Sequence, residues 1–119
     1  MASVNRGFLN ISQGVAALQP ISIPKLLDDS LLVRTVAVAL NPTDWQTVDE
    51  SPKKGSIPSV LGCDAAGIVN AVGKGATKKF NIGDRVAGAA HGGRILCFTR
   101  LLCPLFHERE FDADYTGKE

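Results

Sequence analysis

The stretch over residues 31–40, Leu-Leu-Val-Arg-Thr-Val-Ala-Val-Ala-Leu, is apolar on both faces apart from Arg34 and Thr35. It is too short to span a bilayer, which takes about 20 residues. A β-branched run of this length, bounded by the turn residues Asp28-Asp29-Ser30 before it and Asn41-Pro42 after it, predicts a central strand buried on both sides. The rest of the chain must supply its neighbours. Residues 14–18 are followed by Pro20 and Pro24, which interrupt sheet pairing, and read as an extended loop or an edge strand. Asn41 before Pro42 is a cap residue at the start of a short helix. Residues 51–58 form a polar loop. Small residues from Gly62 lead into a strand reaching Val72, Gly73-Lys74-Gly75 makes a turn, and Asn81-Ile82-Gly83-Asp84 makes a tight corner into a strand at Arg85-Val86-Ala87-Gly88. Short strands, glycine corners and little helix predict a mainly β architecture, an irregular antiparallel barrel or sandwich.

With 119 residues the chain has the size of one domain. Thirteen Lys and Arg against twelve Asp and Glu leave a net charge of +1, which excludes the single-sign field that nucleic acid or an anionic membrane surface requires. Every apolar run is broken before it reaches the length of a membrane span, and the start, Met1 to Gly7, lacks the apolar core of a secretory signal, so a cytoplasmic location is expected. Cys63, Cys97 and Cys103 show no C-x-x-C spacing and read as buried or incidental thiols. Eleven of the twelve glycines precede Arg94, whereas four of the seven aromatic residues follow Gly93. The chain therefore divides into residues 1–93 as one unit and residues 94–119 as another.

Four signatures occur in order: Asn41-Pro42-Thr43-Asp44-Trp45, Gly62-Cys63-Asp64-Ala65-Ala66-Gly67, Asn81-Ile82-Gly83-Asp84-Arg85-Val86 and His91-Gly92-Gly93. With the strand over residues 31–40 ahead of them, they resemble the N-terminal catalytic domain of medium-chain dehydrogenases/reductases. The nearest likeness is to the zinc-independent enoyl reductases that act in trans with fungal polyketide synthases, and it covers about residues 10–93. This resemblance implies an incomplete GroES-like β-barrel. In the family that barrel is joined to a Rossmann domain binding NADPH, and hydride goes to an α,β-unsaturated thioester on an acyl carrier protein. It also implies that Thr43, Asp44, Trp45 and the following Gln46 approach the cofactor. Relatives commonly place a lysine where Gln46 stands; a neutral amide donates hydrogen bonds but offers no cationic acid, so no catalytic residue is assigned. The plainer reading of residues 43–46 is a capped surface turn anchored by Trp45. Zinc-dependent relatives place a cysteine near Pro42 and a His-Glu pair near Cys63-Asp64; Pro42 has no donor atom, so no zinc is expected and Cys63 reads as a small buried residue.

Gly62, Gly67, Gly83 and the pair Gly92-Gly93 read as corners needing positive φ or close approach. Asp84 and Arg85 are expected to pair or hydrogen-bond across their corner, and His91 reads as a turn residue. No strand-to-helix G-x-G-x-x-G unit occurs, so the Rossmann domain is absent from these residues. After Gly93 the family continues into an acidic loop and a Gly-Ala-Phe-Ala-Glu-Tyr-like strand; the segment from Arg94 to Phe111 does not match this, and residues 94–119 are read as a translated intron or a shifted frame. The expectation is a truncated relative of a trans-enoyl reductase, inactive alone. The alternatives are a GroES-like binding module, docking on a synthase or on a full-length relative, and a nonfunctional remnant with exposed strand edges.

Overall fold

The computed structural model describes residues 5–50, 58–76, 79–89 and 105–107. Seven strands and one helix follow in the order β1 (Arg6–Ser12), β2 (Val15–Pro20), β3 (Ser30–Val38), α1 (Pro42–Asp49), β4 (Ser59–Val60), β5 (Asp64–Val72), β6 (Arg85–Ala89) and β7 (Leu105–His107). Every pairing is antiparallel. The strands form a three-stranded sheet, β2-β1-β4, and a four-stranded sheet, β6-β5-β3-β7. The fold is mainly β, as the turn chemistry predicts, and among the described residues no ladder joins the two sheets into a closed barrel.

The run over residues 31–40 forms β3 and lies inside its sheet, between β5 and β7. Leu31, Leu32 and Val33 are all buried, so the first half of the strand is covered on both faces. Its second half departs from the expectation: Val36 is 67% exposed and Leu40, beyond the strand end, 86%. Leu31, Val33, Ala65, Val69, Phe80 and Val86 form one apolar core, with Val38, Val60 and Val72 packed against it. Two irregularities in the β3–β5 ladder, between Leu32 and Val33 and between Thr35 and Ala37, shift the register along the pair.

β5 approaches β3 closely because Gly67 has no side chain. A Cβ there would run into the carbonyl oxygen of Arg34. The corner into β6 is built as the sequence predicts. Gly83 takes φ of +97°, the Asp84 amide donates to the Asn81 carbonyl at 3.1 Å, and the Gly83 amide donates to the Val69 carbonyl at 2.8 Å, hooking the corner onto β5. Asp84 serves this corner through Asn81, not Arg85: its Oδ2 accepts the Asn81 amide at 2.8 Å.

The prolines after residue 18 leave β2 at the edge of its sheet, with Pro20 opposite Arg6 at the strand end. β1 has no counterpart in the sequence pattern. Its inward positions are Gly7, the half-buried Leu9 and the polar Asn10, so little apolar alternation marks it. β7 lies within residues 94–119 and pairs Leu105 to His107 with Leu32 to Ser30. The polar loop at 51–57 and His91-Gly92-Gly93 lie outside the described residues. No helix among the described residues is long and apolar enough to cross a membrane.

Candidate functional site

α1 starts where the sequence places it. Asn41 is extended, with φ −120° and ψ 154°, and Pro42 occupies the first turn, where its missing N–H leaves nothing unsatisfied. Asp44 closes the start: its Oδ2 accepts the Asn41 amide at 2.8 Å, and its own amide donates to the Asn41 carbonyl at 3.0 Å. A carboxylate in the first turn also lies at the positive end of the helix dipole.

The Asn41 side chain then ties the helix to the four-stranded sheet. Its Nδ2 donates to Oδ2 of Asp64, the first residue of β5, at 2.9 Å. Two residues after Asn41 and one before Asp64, Thr43 Oγ1 lies 3.7 Å from Cys63 Sγ. Two motifs twenty residues apart in sequence thus meet at one corner. Cys63 is half-buried there and in no disulfide, more open than the small buried residue expected from the sequence.

The four residues singled out by the motif sort into two groups. Asp44 is half-buried and spent on the helix start, whereas Thr43, Trp45 and Gln46 are exposed. The segment is capped and exposed, as the surface-turn reading expects, but Trp45 is 59% exposed and is no buried anchor; α1 buries none of its residues and is held by hydrogen bonds at both ends. An indole and a primary amide side chain therefore stand free on consecutive residues beside the Asn41–Asp64 tie.

No group of three His, Cys, Asp or Glu side chains able to hold a metal occurs among the described residues. At the corner itself, Pro42 has no donor and Asp64 is bonded to Asn41. A shallow groove with a volume of about 410 Å³ lies on the four-stranded sheet, lined by Val36, Ala37, Ala66, Ile68, Arg85 and Ala87 among others from β3, β5 and β6. Sequence reading did not find it; the signal is the small side chains of Ala37, Ala66 and Ala87, set side by side by the strand register.

The Alcohol dehydrogenase GroES-like domain family matches residues 27–113, across both sides of position 93, and the chain belongs to this family. It is 56% identical over 71 residues to the trans-enoyl reductase TOXD of Cochliobolus carbonum, covering 60% of this chain and 23% of that protein. It is 46% identical over 89 residues to the trans-enoyl reductase resD of Aspergillus sclerotiorum, covering 74% and 24%. The chain thus spans about a quarter of the length of these relatives. In structure it is similar to an Escherichia coli quinone oxidoreductase complexed with NADPH, with a TM-score of 0.69 and 23% identity over 92% of this chain and 32% of that one. The resemblance carried by the four motifs holds for both family and fold.

Proposed function

We propose that this chain supplies the GroES-like domain of a zinc-independent enoyl reductase that works with NADPH on α,β-unsaturated acyl thioesters of polyketide synthesis, presented by an acyl carrier protein, and that residues 43–46 form the face turned to the nicotinamide. The observation that carries this reading is the division of labour in α1. Asn41 and Asp44 fix the helix start against Asp64, leaving Trp45 and Gln46 exposed for a ligand. A flat apolar ring next to an amide that both donates and accepts fits a planar heterocycle with a carboxamide on its edge.

NADPH, when bound, supplies the hydride. The chain's own residues orient and stabilise. The Gln46 amide donates a hydrogen bond to an oxygen at the face but carries no charge, so it steadies a developing enolate less than a lysine would. Zinc plays no part, because the corner offers Pro42, a lone thiol and a carboxylate already bonded to Asn41.

The 119 residues contain no G-x-G-x-x-G turn to grip a pyrophosphate. As an isolated polypeptide the chain is therefore expected neither to hold NADPH tightly nor to turn over. Trp45, the single tryptophan, reports binding directly. Titrating the purified chain with NADPH while following Trp45 fluorescence should give no saturable quench at micromolar cofactor; tight saturable binding overturns the inactive-alone reading. A second arm grafts these residues onto the dinucleotide-binding domain of a trans-enoyl reductase relative. There Gln46→Lys should raise kcat roughly tenfold by restoring a cation beside the developing charge. An unchanged kcat in that graft removes residues 43–46 from the reaction.

A further inference from the structure

An eight-residue helix does not hold itself together in water, where even good helix formers need about 12–15 residues. α1 adds further handicaps. It buries no side chain, its last turn carries no basic residue, and it ends on Asp49 and Glu50, whose charges face the negative end of the dipole. Something outside the helix must hold its C-terminal end.

That end is met by the turn of the β1–β2 hairpin. Asn10 Nδ2 donates to the Thr47 carbonyl at 3.1 Å, the Gly14 amide to the Val48 carbonyl at 2.7 Å, and Gln13 Nε2 to the Asp49 carbonyl at 3.0 Å. Three consecutive carbonyls that a helix end leaves open are each given a donor from one hairpin. Gly14 does so at φ of +74°, a conformation glycine adopts without strain. Asn10 is 3% exposed and its Oδ1 has no hydrogen-bond partner, so the buried amide is kept there for its donor. From Thr47 the connection runs on toward the site: its hydroxyl donates to the Thr43 carbonyl at 2.7 Å, and Thr43 Oγ1 faces Cys63 Sγ.

We propose that the β1–β2 hairpin is the clamp that positions residues 43–46, with Asn10 and Gln13 as positioning residues acting through the last carbonyls of α1. Loosening the hairpin turn releases the exposed Thr43, Trp45 and Gln46 face while the four-stranded sheet stays folded. The functional meaning of the clamp rests on the reading of that face as the cofactor side; the clamp itself does not.

Amide hydrogen exchange on the whole chain, without cofactor, tests it. Asn10→Ala and Gln13→Glu each remove one donor and should speed exchange of the amides at 46–50 by about fivefold to tenfold, leaving Val33 and Val69 unchanged. Gln13→Lys keeps a donor and adds a cation at the helix C-terminus, and should restore or exceed the original protection. Gln13 is exposed, so its variants decide the matter even if Asn10→Ala fails to fold. The proposal is overturned if exchange at 46–50 stays at the parental rate in the Gln13→Glu chain, or if it rises in step with Val33 and Val69. In the grafted reductase, Gln13→Glu should raise the KM for NADPH severalfold. A helix that loosens there with no change in KM leaves the clamp standing and sinks the cofactor reading instead.

Discussion

The two sheets are held together by different forces. In the four-stranded sheet, Leu31, Val33, Ala65, Val69 and Val86 are buried and join Phe80 in a shared apolar core. In the three-stranded sheet the buried positions include Gly7 and Asn10, whereas Phe8, Ile11, Val15 and Leu18 are 40–48% exposed. The first region is stable because water is excluded from it. The second, with α1 leaning on it, depends on individual hydrogen bonds worth about 1 kcal/mol each. A small domain can thus keep a rigid frame and a separately adjustable edge within one chain, and the candidate site lies where the two meet, at the Asn41–Asp64 tie.

Substitutions in the two regions should behave accordingly. Leu31→Ala, at a side chain with no exposure, should cost about 3 kcal/mol and shift the denaturant midpoint of the whole chain, because it opens a cavity in the apolar core shared by β3, β5 and β6. Gly67→Ala should cost about 2 kcal/mol by forcing a methyl group against the Arg34 carbonyl and parting β3 from β5, read in the same denaturation experiment. Asn41→Ala should cost about 1 kcal/mol and show in α1 exchange before it shows in global stability, since it cuts the tie without touching the core. If Asn41→Ala instead lowers the global midpoint as far as Leu31→Ala, the helix is part of the frame and the contrast fails. Ile82→Ser, at a side chain 74% exposed, should change stability by less than about 0.5 kcal/mol.

How much of this was legible in the sequence follows the same division. The central strand could be read because burial on both faces leaves a continuous apolar run, and the corner at 81–84 because Gly83 needs positive φ. The start of α1 could be read because Asn41, Pro42 and Asp44 carry local cap chemistry. The role of Trp45 could not: a lone tryptophan on a short helix looks like an anchor until the hydrogen bonds that replace it are seen. Nor could the clamp, whose donors and acceptors lie 34 to 37 residues apart in sequence and leave no periodicity behind. Strand β1 escaped for a related reason, since a buried glycine and a buried asparagine hide its inward face.

The strand order also governs how the chain comes into being. β3 lies between β5 and β7, and both of its partners are synthesised after it. Leu31, Leu32 and Val33 therefore leave the ribosome with neither neighbour available, and the longest apolar run of the molecule spends the interval until β5 emerges as an uncovered sticky segment. Pairings this distant in sequence form slowly, and a transiently uncovered apolar strand favours aggregation while it waits.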